Sequence, residues 1–218
     1  MSTTTSFPTG NVDGSGHRTA RLLFEVGGNV VLSLFFLQFL VIHGRNFLAD
    51  HRLSTLLLVA KVGTDVLFYL IRRVPKEVSL SPYDWAIGLM GTFMVAFFRP
   101  DAHGSDGLLA QGLQLLGLGM QVAAMLSLNT SIGITAANRG VKTGGMYRLV
   151  RHPLYLSYIV AYGGYLLSHF TPQNAMVYAA AVLLWVLRLV AEERLLSKDP
   201  QYAAFRQRVR WRLIPYVF

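Results

Sequence analysis

The sequence predicts an all-α, polytopic membrane protein, and three observations carry that reading. Hydrophobic residues make up 53% of the 218-residue chain, charged residues only 14%, and the apolar residues gather into six long runs. A soluble domain carries about 25% charged residues, so a chain this poor in charge suits a surface that faces lipid. Its length allows one domain and hardly two. Backbone polar groups find no partners in hydrocarbon, so segments that cross it are expected to be helices.

In chain order, residues 1–17 are rich in Ser, Thr, Gly and Asn without periodicity, which predicts a disordered tail. No basic n-region precedes a short apolar stretch with a small-residue cleavage site, so no cleaved signal peptide is expected. Arg18 and Arg21 directly precede the first apolar run, as in an uncleaved anchor. The runs cover 22–43, 53–71, 83–98, 107–128, 154–170 and 174–191. Crossing a bilayer takes roughly 20 residues; the third and fifth runs are short enough to tilt, kink or re-enter, which leaves five spans as the alternative to six. Residues 18–128 thus hold the N-terminal set of spans. Glycines 112, 117 and 119 permit close helix packing.

The formal net charge of +9 is arranged in short clusters between the runs. With six alternating spans, fifteen of the 20 Lys and Arg fall on the N-terminal side and three (Arg45, Arg52, Arg99) on the other; Lys61 and Arg188 lie within spans. That bias predicts cytoplasmic termini and contact with anionic lipid, and argues against a nucleic-acid partner. The absence of cysteine excludes disulfides, thiolate metal ligands and cysteine nucleophiles; no metal site is expected. Beyond Arg194, Tyr202, Phe205, Val209 and Leu213 share a helical face, with Arg206, Arg208, Arg210 and Arg212 mostly off it. This reads as an amphipathic helix, lying either on the cytoplasmic leaflet or against its own protein.

Ionisable residues within apolar runs mark a function or a paired contact. Lys61 and Asp65, four apart, read as a mutually neutralising structural pair. Arg188 and Glu192 are also four apart, and Glu193 follows, which leaves one acid to be completed by a ligand or a nearby base. The loop from Asn129 to His152 contains Gly133, Gly140, Gly144 and Gly145, which permit close backbone approach. It also carries Asn138, Arg139, Lys142, Tyr147 and Arg151. Pro153 suits a first helical turn and puts His152 at a helix N-terminus, where anions are favoured.

The blocks GGMYRLVRHPLYLSY, RLVAEERLL and YAAFRQRVRWRLIP, in this order over roughly residues 129–218, resemble the isoprenylcysteine carboxyl methyltransferase family and its phospholipid methyltransferase relatives. Ser157 stands where many relatives have glycine. The resemblance implies a helical membrane enzyme that binds S-adenosyl-L-methionine without a dinucleotide-type fold; Gly14-Ser15-Gly16 lies in the polar tail and forms no such fingerprint. It further implies a cofactor pocket, open to the cytoplasm, made by the loop and the last two membrane helices. Tyr147, His152, Pro153, Leu154 and Tyr155 would line that pocket, with Arg139, Gly140, Val141 and Lys142 adding loop contacts and Glu192 binding the cofactor. Arg188 would hold the acceptor and act in catalysis.

The cofactor's ammonium suits Glu192, and its carboxylate suits His152 and the helix N-terminus. A carboxylate acceptor such as a prenylated cysteine needs no general base. A phospholipid amine or a thiol would need one, making Glu193 or Tyr155 the candidate. Two other readings stand beside this one. Sterol reductases share an Arg-His-Pro-x-Tyr block but use NADPH and tend to place an acid just after it, where this chain has Ser157 and Tyr158. A non-enzymatic membrane protein is the other, although no inverted repeat relates the two halves.

Overall fold

The computed structural model describes residues 14–71, 77–78, 81–101, 103–128, 137–138 and 143–218. Within them the chain is helical. Helix α1 (Gly14–Asp50) and α2 (Leu53–Ile71) precede α3 (Pro82–Phe93), which tightens into a 3-10 turn at Met94–Phe97. Then come α4 (Leu108–Leu128), a 3-10 turn at Gly145–Arg148, α5 (Pro153–Ser168), α6 (Pro172–Leu196) and α7 (Pro200–Arg208). The one pairing of extended residues joins Glu77–Val78 antiparallel to Ala137–Asn138.

Contacts at the helix ends define how the bundle is wound. At one end the Arg52 guanidinium donates to the Asp101 carbonyl at 2.7 Å and the Asp101 N–H to His169 Nδ1 at 3.1 Å. Asn174 accepts from the Arg99 N–H and donates to the Arg99 carbonyl, at 3.0 and 2.8 Å. The turns after α1, after the α3 segment and after α5 therefore lie together. At the other end, the N–H groups of Arg151 and His152 donate to the carbonyls of Trp211 and Arg212, both at 2.9 Å. Successive helices run up and down. Helix α4 lies along α5, α1 along α2, and α3 against α6. Aromatic rings from several elements fill the centre: Phe98 stacks on Tyr162 at 5.4 Å, and Tyr162 meets Trp185 at 5.7 Å.

On α2 and α4, polar side chains are buried alongside the apolar core while leucines stand exposed. Helix α4 buries Gln114 and Gln121 and exposes Leu109 (71%) and Leu126 (70%). Helix α2 buries Lys61 and Asp65 and exposes Leu56 and Leu67. Among the described residues two helices, α4 and α6, are long and apolar enough by length and composition to cross a membrane.

Three sequence expectations shift. The expected tail to residue 17 is shorter, because α1 already includes Gly14–His17; residues 1–13 lie outside the described set. The third apolar run is a helix of 12 residues plus its 3-10 turn. The C-terminal amphipathic helix stops at Arg208, and Val209 is extended (φ −112°, ψ 99°). Its apolar residues Tyr202, Phe205 and Val209 are buried with Tyr147, so that face packs on the protein itself. The chain leaves the helix because the carbonyls at 211 and 212 bond the start of α5.

Gly117 allows the α4–α5 contact: a Cβ there would sit 2.5 Å from the Ala161 nitrogen. Gly117→Val is expected to destabilise the bundle by about 1–3 kcal/mol through overpacking, measured by thermal unfolding of the purified protein.

Candidate functional site

The start of α5 and the end of α6 meet at the end of the bundle that carries α7. A residue before proline is pushed out of the helical region, and His152 (φ −130°, ψ 58°) is, with Pro153 opening α5. On α6, Arg188 and Glu192 are one turn apart and share a face, whereas Glu193 is turned by about 100°. The two consecutive acids accordingly serve different neighbours.

Glu193 is buried and surrounded by basic side chains and a phenol. Its Oε1 lies 2.8 Å from Arg151 Nε and 3.2 Å from His152 Nε2, and accepts from the Tyr202 hydroxyl at 3.3 Å. Its Oε2 accepts from Arg212 Nε at 2.8 Å. A carboxylate only accepts, so His152 carries its hydrogen on Nε2. Burial, then the Glu193 charge, raises the Tyr202 phenol above its ordinary range. One acid thus ties together the start of α5, the end of α6, α7 and the C-terminal segment.

Glu192 is less enclosed. Its Oε1 accepts from the Tyr155 hydroxyl at 2.6 Å and lies 3.5 Å from Arg188 Nε. The Arg188 guanidinium sits 5.6 Å from the Tyr155 ring centre and reaches Thr92 Oγ1 at 3.4 Å. Tyr147 is buried close by; burial and then the Glu192 charge lift its phenol well above the ordinary range. Before it, Gly145 takes a positive φ of 55° and packs onto Ser127 of α4, whose Oγ accepts the Met146 N–H at 3.2 Å. The glycine's close approach is made to the protein's own helix.

Arg188 also borders a cleft in the middle of the bundle, about 340 Å³ counted to its mouth, lined among others by Lys61, Asp65, Tyr158 and Trp185. Lys61 and Asp65 pair at 2.8 Å, as their spacing predicts, and Gln121 donates to the second Asp65 oxygen at 3.0 Å.

The structure brings Tyr147, Tyr155, Arg188 and Glu192 together, but turns His152 toward Glu193. The backbone N–H of His152 is taken by the Arg212 carbonyl and its ring by a carboxylate, so it is not poised for an anion. Pro153 is buried beside it and Leu154 half-buried. Arg139, Gly140, Val141 and Lys142 lie outside the described residues. Glu193, the candidate base, has both oxygens engaged; its partners are nearby bases, one of the two completions its sequence context offered. No protein-family model matches the chain, and no curated protein does.

Sequence reasoning did not single out Tyr202 and Arg212 as partners of Glu193, since no local spacing links residues so far apart. It also did not foresee the polar cluster at the far end of the bundle. There Ser54 Oγ lies 3.0 Å from His169 Nε2. Nδ1 of His169 accepts the Asp101 N–H, so Nε2 holds the proton and donates to Ser54. This is the wrong tautomer to activate a serine nucleophile, and the cluster joins three turns.

Removing the Glu193 carboxylate leaves Arg151 and Arg212 without their shared counter-ion and His152 without its acceptor. Glu193→Ala is expected to destabilise the fold by about 3–5 kcal/mol, and Glu192→Ala by clearly less, compared by chemical unfolding of both variants.

Proposed function

We propose that this chain is a multi-pass membrane S-adenosyl-L-methionine-dependent methyltransferase acting on a lipophilic acceptor, with its site at the end of the bundle that carries α7. The carrying observation is the contact among Tyr155, Glu192 and Arg188, which joins two separate sequence blocks at hydrogen-bond distance. The third block reaches the same end through Arg212 and Tyr202 on Glu193.

The membrane half of the reading is supported by the buried polar groups and exposed leucines of α2 and α4 and by the alternating helix ends, which suit six spans better than five. Leucines stand outward where a soluble helix would place polar groups, while Lys61, Asp65, Gln114 and Gln121 are turned inward. Lipid makes that arrangement favourable. On this topology both termini and the Glu192 site are cytoplasmic.

The residues present fit the donor. Glu192 is partly exposed, with Oε1 engaged by Tyr155 and Arg188 and no hydrogen bond to Oε2 from the described residues; that oxygen suits the donor's ammonium. The bound donor supplies a methyl group on a sulfonium, open to in-line displacement. Tyr155 holds the Glu192 carboxylate in place, and Arg188, stacked beside Tyr155, orients the acceptor. Buried Tyr147, Tyr202 and Phe205 help exclude water at this end. Glu193 acts as the clamp of this end, since a base role would require it to break its contacts to Arg151, His152 and Arg212. A prenylated-cysteine carboxylate or a phospholipid amine is the acceptor class the reading admits.

Two measurements check this. S-adenosylhomocysteine is expected to raise the unfolding temperature, with stabilisation of about 2.7 kcal/mol at 100 times its dissociation constant, while NADPH leaves it unchanged; the reverse result would favour a reductase. Glu192→Gln and Arg188→Ala, each still inserted, are expected to lower methyl transfer to total membrane lipid on the order of 100-fold. Full activity in both variants would refute the site.

A further inference from the structure

We infer that the turn at residues 214–217, beyond α7, is an interfacial foot that enters a leaflet containing acidic phospholipid, and that the leaflet thereby tightens the segment closing the start of α5. The inference rests on the membrane half of the proposed function; the methyl donor takes no part in it.

The segment beyond α7 faces two ways. Val209 and Leu213 are buried, while Ile214, Tyr216 (87%) and Val217 (74%) stand exposed. Turns on a watered surface favour Gly, Asn, Asp and Ser, whereas this one reads Ile-Pro-Tyr-Val. Hydrogen bonds close it. The N–H groups of Val217 and Phe218 both donate to the Ile214 carbonyl at 3.1 Å. Those of Arg212, Leu213 and Ile214 converge on the Phe218 main-chain oxygen at 2.9, 2.8 and 3.1 Å. Tyr216 takes a positive φ of 68°, uncommon for a bulky residue, and its ring leans on Trp211 at 5.2 Å. A strained backbone thus holds an apolar, aromatic tip in the open, and such exposed apolar surface marks a binding face.

The charge around the tip says what covers it. Arg206, Arg208 and Arg210 stand exposed just before it. Arg148 and Leu149 stand exposed just before the residues of α5 that the segment bonds. Among the described residues no ion pair joins any of these four arginines to an acid. Cations beside an apolar tip carrying Tyr fit the bilayer interface, with acidic heads for the guanidiniums and the acyl boundary for the tip. On the six-span topology this end lies at the cytoplasmic leaflet, where acidic lipid is found. Because α7 buries its own apolar face on the protein, the turn after it is the part left to touch lipid.

The tip is continuous with the contacts that complete the working end. The carbonyls of Trp211 and Arg212 take the N–H groups of Arg151 and His152 at 2.9 Å. The Arg212 guanidinium, 4.9 Å from the Phe218 ring centre, reaches Glu193. A surface that binds the folded segment, and not a frayed one, stabilises every contact that the segment makes.

The test uses the full-length protein in nanodiscs of phosphatidylcholine, alone or mixed with phosphatidylserine. The chain contains no cysteine, so Val217→Cys carries one environment-sensitive fluorophore at the tip. Lipids bearing a doxyl quencher near the head report its entry, which is expected in the acidic discs and much less in the neutral ones. Each arginine near an acidic leaflet contributes roughly fivefold to such binding. Replacing Arg206, Arg208 and Arg210 together by Gln should therefore lower tip entry on the order of 100-fold. Hydrogen exchange reads the coupling. In the unlabelled protein, acidic discs should slow exchange of the peptide holding Arg151 and His152 by about tenfold, and the double variant Tyr216→Ser with Val217→Ser should lose that effect.

A tip that stays in water in acidic discs, or enters both kinds equally, would overturn the inference. So would exchange at Arg151 and His152 that ignores lipid charge. Soluble glycerophosphoserine that slows this exchange in neutral discs would also overturn it, by making a dissolved anion the ligand. A chain that does not insert would remove the membrane reading as well, whereas one that inserts with its tip in water removes this inference alone.

Discussion

Glu193 organises one whole end of this molecule. A carboxylate that loses contact with water must be compensated, and this one gathers Arg151, His152, Tyr202 and Arg212 around two oxygens. Those four residues come from the start of one helix, from the short helix α7 and from the irregular segment beyond it. Their common anchor fixes α6 against α5 and draws α7 onto Tyr147. Since Glu192 is the next residue on the same helix, locking Glu193 also sets the direction of its neighbour, which points at Tyr155 and Arg188. A buried acid and a partly exposed one thus stand side by side on one helix with different partners.

The same economy of charge recurs deeper in the bundle. Lys61 with Asp65 and Arg188 with Glu192 are each one helical turn apart, so each helix neutralises its own ion locally. Local pairing frees the helix surfaces to be apolar outward, and it leaves the central aromatic column to do the packing: Phe98, Tyr162 and Trp185 meet at its centre. The Trp185 indole N–H donates to the Gly91 carbonyl at 3.0 Å, tying α6 to α3 where the latter is about to tighten into its 3-10 turn.

How much of this could be read from the residues depended on range. The Lys61–Asp65 and Arg188–Glu192 pairs were visible because four-residue spacing is a helical property. The helices themselves followed from the apolar runs, α2 with the same bounds as its run. Tyr155 and Glu192 were grouped only by resemblance, since 37 residues separate them. The Ser54–His169 contact, across 115 residues, left no trace in any local pattern. His152 shows a different limit: its place before Pro153 was read correctly and an anion was expected there, but its own N–H is taken by the Arg212 carbonyl and its ring faces Glu193. Likewise, Val209 falls on the apolar face whether the chain stays helical or unwinds, so periodicity overran the end of α7.

That closure of α5 has a consequence for how the molecule is made. Carbonyls at 211 and 212 bond the N–H groups at 151 and 152, and the Arg212 side chain reaches Glu193, so parts far apart in order of synthesis complete one another. Helices α1–α6 are translated before the segment that completes this end. That segment acts as a latch, and until it arrives Glu193 lacks its Arg212 partner.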